Sequence, residues 1–465
     1  VPDGGRVTPD ARETVDAYAR HVNPAFMRLL GVLGYGRVFT RAEGNHVFDA
    51  EGRRYLDLLA AFGACPLGHN HPALRAALLA CFDASPLFFS HVGPSPSAAR
   101  CAQMLVERAG GDLSICLFSN GGADAVEAGL KLARAATGRP GFLSCRGGYH
   151  GLGLGTLSVM DDARLRGPFE PLLPGCETVP FGDAAALDAA LRTKRHAAFV
   201  VEPIQGEGGA VLPPPGYLAE AGALCRKYGT LLVLDEVQTG LGRTGAMFAY
   251  QALGGGDCTP DVLCLAKALG GGALPIGATL VRPEWHRKAY GSMERFDLHG
   301  ATFAGNALSC AAACATLDVI DAEGLVAAAA LRGDALRDGL AQRLAGHPLV
   351  RGVRGRGLMI GVELGPVDTA GLARLAAPLR AVVSEKLLGQ WIALRLLESG
   401  IIAQPASQAW DVLKLTPPLT LTESEVTTAI DTLGEVFDAC RDVSTVLAAA
   451  AARIGRNALR GFAFP

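Results

Sequence analysis

TLLVLDEVQTGLGRTG, residues 230–245, runs from an apolar segment straight into two carboxylates, Asp235 and Glu236. Leu231 to Leu234 are all apolar, the pattern of a strand covered on both faces rather than one half open to water. Upstream, residues 215–228 start on Pro215 and carry Leu218, Ala221, Leu224, Cys225 and Tyr228 along one stripe. They stop at Gly229, so the spacing predicts a helix that feeds the strand. Similar apolar runs recur at 115–119 (ICLFS), 142–145 (FLSC), 197–202 (AAFVVE), 262–266 (VLCLA) and 276–281 (IGATLV). Strand and helix alternate at this spacing in an α/β domain with a mostly parallel sheet. Its ligands are expected beyond the carboxyl ends of the strands.

The flanks read differently. Residues 9–33 are expected to be helical, and HVFDAEGRRYLDLLA places a DAEG turn between two strand-like runs. Beyond about residue 335 the pattern is a smaller α+β unit, with strands expected at 356–364 and 411–417. A closing helix follows, opened by a Thr422 to Glu425 capping box. The expected division is an N-terminal segment 1–70, a large domain 71–334, and 335–465 completing a smaller domain.

The 465 residues are 49% apolar, with 43 Lys+Arg against 45 Asp+Glu and a net charge of -2. That composition excludes disorder, and the balance lacks the basic footprint of a nucleic-acid or anionic-membrane binder. No apolar run approaches the roughly 18 residues of a membrane span. Nothing at the N-terminus reads as a signal peptide, and the missing initiator Met reads as trimming. Twelve cysteines are scattered singly, with no CxxC pair, as buried free thiols are in a reducing compartment, so the cytosol is expected. His69 and His71 have no partner at ligand spacing, and no metal is expected.

Polar residues gather at the strand ends. Ser119-Asn120-Gly121-Gly122-Ala123-Asp124 leads from strand to helix. It is either a phosphate cradle of backbone amides or a Gly-rich turn capped by Asp. An apolar strand ending on DE also fits a P-loop ATPase, but GxxxxGK[ST] is missing. Gly240–Gly245 matches GxGxxG only formally, several residues past the strand end. Lys267, at the end of 262–266, shares its sheet edge with Asp235 and the cradle. A desolvated amine there is a nucleophile toward carbonyls. Phosphate cradle, buried carboxylate and strand-end lysine together suit pyridoxal 5'-phosphate: the lysine forms the Schiff base and the carboxylate keeps the ring nitrogen protonated.

Taken with SNGGADAVEAGLKLAR, YHGLGLG, EPIQGEGG, LLVLDEVQTGLGRTG, CLAKALGGG-LPIGA, HGATFAGNALSCAAA and LTPPLTLT, the chain resembles class III (ω-type) aminotransferases of the fold-type I pyridoxal phosphate enzymes, from about residue 45 to 440. The general pattern is nearest to putrescine-type diamine and long-chain amine aminotransferases. The resemblance implies that Lys267 is the Schiff-base lysine and proton shuttle, that Asp235 pairs with the ring nitrogen, and that Gln238 reaches the ring hydroxyl. It further implies that Tyr149 stacks on the ring with His150 beside it, and that Gly122 and Ala123 amides hold the phosphate. Thr302 would reach that phosphate from the neighbouring subunit of a homodimer, and Glu202 and Glu207 would line the substrate side. Read as residues alone, Glu207 is also a plain turn acid and His150 a packing residue.

Two departures bear on substrate. Leu152 stands where members acting on ornithine-like substrates often carry Arg, and Lys414 stands where a second Arg commonly precedes PPL. Lys offers a carboxylate a point charge, where Arg offers a bidentate fork. The expected donor is therefore a primary amine without an α-carboxylate, a diamine or long apolar amine fitting Leu152 and the Phe-rich segment 86–94. The acceptor would be pyruvate or 2-oxoglutarate. An aminomutase, racemase or decarboxylase on the same fold, or an ornithine/acetylornithine-type enzyme, is the alternative; a non-enzymatic binding protein should lack Lys267.

Overall fold

The computed structural model describes residues 10–33, 35–89, 92–254, 258–365, 388–441 and 453. Residues 90 and 91 of the Phe-rich segment lie outside that set.

Seven strands form the central sheet, ordered Ile115–Ser119, Gly277–Val281, Val262–Leu265, Leu231–Asp235, His196–Val201, Gly141–Cys145, Cys176–Val179. All six apolar runs are strands of this sheet. Only Gly277–Val281 runs against its neighbours, antiparallel to Ile115–Ser119 and to Val262–Leu265. Alternate residues feed two cores. Val200, Val233 and Cys264 face Val126, Leu130 and Ala133 of helix Gly122–Thr137. Phe199, Leu232, Leu234 and Leu263 face the other layer, which includes Leu218 and Cys225 of helix Tyr217–Tyr228 and Leu105 of helix Pro96–Ala109. Burying a side chain of the Leu or Phe class is worth about 1.5–3 kcal/mol. An edge strand, Cys176–Val179, escaped the sequence reading because CETV is short and half polar.

The helix from 215 begins two residues late, at Tyr217, after Gly216 (φ 81°). The helix expected over 9–33 is two, Ala11–His21 and Pro24–Leu33. Pro24 disfavours the helical region for Asn23, whose Oδ1 instead accepts from Phe26 N at 3.0 Å and caps the second helix.

The DAEG turn joins His46–Asp49 to Arg54–Asp57, and the latter pairs in parallel with Ile401–Ile402. The two chain ends therefore share one sheet. Another sheet is ordered Val350–Arg356, Met359–Leu364, Val412–Leu415, Gln404–Pro405. Its first strand was not expected, since VRGVRGR alternates Arg and Gly rather than apolar residues. The Thr422–Glu425 capping box forms as expected. The Gly240–Gly245 loop packs on other protein segments: Gly242 lies against Leu419 and Gly245 against Ala330. The buried Arg243 donates to the carbonyls of Leu358 and Pro417, tying this loop to the C-terminal third. Among the described residues, no helix is long and apolar enough to cross a membrane.

Candidate active site

Successive strand residues point to opposite faces, which separates the two carboxylates that end Leu231–Asp235. Glu236 turns away and accepts from Ala249 N (2.7 Å), Tyr250 N (2.8 Å) and Thr239 Oγ1 (3.1 Å), fixing the start of helix Ala249–Leu253. Asp235 faces a cavity of about 290 Å³ that also takes in Lys267 from the end of Val262–Leu265 and Glu202 from the end of His196–Val201. Gly122 and Ala123, at the start of helix Gly122–Thr137, also line it, with Tyr149, His150 and Leu152.

Ten of the twelve site residues expected from the sequence line this one cavity: Gly122, Ala123, Tyr149, His150, Leu152, Glu202, Glu207, Asp235, Gln238 and Lys267. Lys414 lies just behind it, ion-paired to Glu207 and fully buried. Thr302 is elsewhere. It lines a second cavity of about 350 Å³ with Phe88, Phe89 and His299, so within one chain it does not meet Lys267.

Asp235 Oδ1 accepts from Val237 N (3.0 Å), and Oδ2 lies 2.9 Å from His150 Nδ1. Burial opposes the His150 imidazolium, but the bond to Asp235 and its charge, with Glu202 beyond, outweigh it and raise the pKa. Glu202 is pushed up to about 7, chiefly by burial; Tyr149 N and Gly206 N donate to its two oxygens at 2.9 Å. Lys267, part of whose surface stays accessible, is pulled down to about 8 by desolvation and then by the Lys414 charge, against Glu207, Asp235 and Glu202. Its φ of 39° lies in the left-handed region, where a non-glycine residue is strained.

Glu207 is held by four donors or charges. Lys414 pairs with Oε1, Gln238 Nε2 donates to the same oxygen at 3.2 Å, Ser407 N donates to Oε2 at 3.0 Å, and the Lys267 charge adds to these. Burial works against the carboxylate, but the two lysines prevail and its pKa falls to about 2. The pair's contribution to stability is thus complete above the ordinary value of 4.5 and is lost as pH falls toward about 2. Lys414→Met is expected to cost about 3–5 kcal/mol by stranding the buried carboxylate. Glu207→Gln in the same chain should recover most of that, as read from denaturant melts of the cofactor-free protein.

Phe62 adjoins this site, against Gln238 and Lys414, and the sequence did not announce it. Ala60, Ala61 and Phe62 all have positive φ (46°, 50°, 60°), a run whose residue types give no sign of it. Asp57 Oδ1 anchors the bend, accepting from Leu59 N (2.9 Å) and Ala60 N (2.8 Å). The bend brings the Phe62 carbonyl to Gln238 Nε2 (3.1 Å) and its ring to 5.2 Å from Lys414 Nζ.

The residues present fit pyridoxal phosphate. Two buried polar atoms, His150 Nε2 and Gln238 Oε1, have no partner among the described residues. A Cβ on Gly122 would sit 2.6 Å from Val237 Cγ1, so this position requires the bare backbone that brings the helix start against the cavity wall. The first amides of that helix are free for an anion. An aldehyde adds to a neutral amine, so covalent loading of the cofactor-free protein should quicken as pH rises through about 8 and then level off. Borohydride-trapped mass on the peptide containing Lys267 measures it.

The sequence pattern of the family described as aminotransferase class-III matches residues 33–437. Aminotransferase PigE of Serratia sp. is 35% identical over 470 residues, covering 94% of this chain and 54% of the relative. The chain thus spans about half the length of that curated relative. Among solved structures, ornithine aminotransferase of Toxoplasma gondii ME49 superposes with a TM-score of 0.80 at 31% identity, covering 93% of this chain and 96% of that one. An amine transaminase from an uncultivated Pseudomonas species, in its PLP-bound form, gives 0.76 at 31% identity, covering 87% and 95%.

Proposed function

Because the chain belongs to the class III aminotransferases, we propose that it moves an amino group from a primary amine, a diamine or long apolar amine, to a small keto acid, pyruvate or 2-oxoglutarate, in two ping-pong half-reactions. Pyridoxal 5'-phosphate, the family's cofactor, supplies when bound an electron-withdrawing ring that stabilises charge at the carbon beside the amine nitrogen. Gly122 and Ala123 amides would hold its phosphate, and Tyr149 would cover the ring face. Asp235, oriented by His150 and by Val237 N, would place its carboxylate where the ring nitrogen lies. Gln238 would meet the ring hydroxyl once its Oε1 or amide group is redirected. Lys267 Nζ, made less basic by burial and by Lys414, accepts the proton leaving the donor carbon and returns it across the C–N unit.

One observation carries the donor class. Lys414, the cation beside Lys267, is already neutralised by Glu207, and none of the described cavity-lining residues is an arginine. A donor's α-carboxylate would have to displace a buried, multiply held Glu207. An amine with an apolar or cationic tail meets Leu152 and the ring of Phe62 instead. The test is a half-reaction panel on purified protein, following loss of the cofactor's absorption band with each donor. Diamines and alkylamines should react fastest. Ornithine outrunning them would reinstate the ornithine-type reading, and turnover without any acceptor would favour a mutase, racemase or decarboxylase.

We also propose a homodimer that shares its sites, Thr302 serving the partner's cofactor. Its support is the placement of Thr302 away from its own chain's Lys267 cavity, beside the exposed Phe303, Leu298 and Phe296. Light scattering should give twice the chain mass. The division 1–70, 71–334 and 335–465 remains our reading of the domains, supported by the sheet that Arg54–Asp57 and Ile401–Ile402 share. A cytosolic location is proposed from the free cysteines.

A further inference from the structure

Ala60, Ala61, Phe62 and Gly63 follow one another with φ of 46°, 50°, 60° and 86°. Ala61 (ψ 50°) and Phe62 (ψ 33°) sit in the left-handed helical well itself. Of the four, only Gly63 is free of the Cβ clash that disfavours this well for L-residues. Burial does not explain the conformation, because the side chains of Ala61 and Phe62 are both exposed. The turn is held from outside, and what holds it is a carboxylate.

Asp57 is buried and uses both of its oxygens. Oδ1 takes the two amides that open the turn, Leu59 N and Ala60 N, and Oδ2 accepts from His69 Nε2 at 2.9 Å. His69 is itself fixed by its backbone, which exchanges hydrogen bonds with Gly44 in both directions (2.7 and 3.0 Å). On the other side, Thr416 Oγ1 donates to Leu59 O at 2.8 Å, one residue past the strand Val412–Leu415 that carries Lys414. Neither Asp57 nor His69 lines the Lys267 cavity, so the pair reaches the site only through the turn.

We propose that Asp57, gripped by His69, is a positioning residue for the donor: it holds the left-handed turn that keeps the Phe62 ring beside Lys414, and so sets the preference for a long apolar tail over a short one. This rests on the amine-donor reading above. A ring fixed in advance contacts the tail without first being ordered, which favours binding. Freed from Asp57, the turn relaxes to ordinary backbone, since only glycine is at ease where Ala60, Ala61 and Phe62 now lie. The Phe62 carbonyl then leaves Gln238 Nε2, which keeps Glu207 Oε1 as its acceptor, and the ring no longer walls the donor side.

The experiment has one arm on cofactor-free protein and one on turnover. Hydrogen exchange of the amides in 58–64 should quicken about tenfold or more in Asp57→Ala and in His69→Leu, as bonds holding the turn are lost. His69→Gln, which keeps an N–H near the Nε2 position, should exchange at close to the wild-type rate. Ala61→Gly should raise the melting temperature, since it takes an exposed methyl group off a left-handed position. In the holoenzyme, the ratio of kcat/KM for hexylamine over propylamine should fall about fivefold or more in Asp57→Ala and His69→Leu, through the KM of hexylamine, with kcat for propylamine kept within about threefold. His69→Gln should retain most of the preference. Should Asp57→Ala not fold, the two His69 variants carry the comparison. Faster exchange with the length preference intact would overturn the proposal, as would equal loss in His69→Gln and His69→Leu, a lower melting temperature in Ala61→Gly, or a wild type indifferent to donor length. A wild type that converts no amine at all would sink the amine-donor reading and this proposal with it, and is told apart by needing no variant.

Discussion

Lys267→Ala is expected to lower amine transfer by about 10⁴-fold or more, since in the proposed function it removes both the covalent anchor and the proton carrier. The visible band of the loaded protein should vanish with it. Loss of folding is not the expected cause, and pH supplies the check. The Lys267 pKa is about 8 in the fold against an ordinary 10.5. A folded value below the unfolded one means that the lysine weakens the fold. That weakening is fully present below about 8 and disappears as pH passes 10.5. The cofactor-free Lys267→Ala protein should therefore melt no lower than wild type at neutral pH, with any gain shrinking as pH rises. An intact absorption band in the variant would place the carbonyl-binding amine elsewhere.

Asp235→Asn is expected to cost about 10²–10³-fold in kcat/KM, the kinetic equivalent of about 3–4 kcal/mol, within the range for breaking a buried charge pair. The amide keeps the shape and can still accept from Val237 N, but it strips the negative charge from the ring-nitrogen position and from His150. Without that carboxylate, burial is the largest influence left on His150, so its imidazole pKa should fall, as NMR titration of the ring would show. Adding excess cofactor should not restore the rate, which separates lost chemistry from weakened binding. A rate within fivefold of wild type would remove Asp235 from the chemistry.

Much of this site was legible because strand chemistry is repetitive. Asp235, Glu202 and Lys267 each follow an unbroken apolar run, and a parallel sheet delivers such ends to one edge. Gly122 and Ala123 were legible from a helix start rich in small residues. Other parts were hidden for physical reasons. The left-handed run at Ala60–Phe62 is imposed by Asp57 and by packing, and Ala, Ala and Phe carry no intrinsic preference for it. His150 could be chemistry or packing in the sequence; its 2.9 Å contact to Asp235 exists only in three dimensions. Lys414 read as a weak carboxylate holder, yet its partner Glu207 is 207 residues away in the chain. Of the cysteines read as core filling, eight are buried and fit that reading.

The positive φ of Lys267 has a consequence for anyone breeding this protein for heat tolerance. Glycine is at home in that backbone conformation, and it would also remove the desolvated ammonium. A screen that scores survival on heating alone would therefore reward the exchange that, given the role proposed for Lys267, silences the enzyme. Libraries sorted for robustness need a turnover gate at every round, or the fittest clones will be inert.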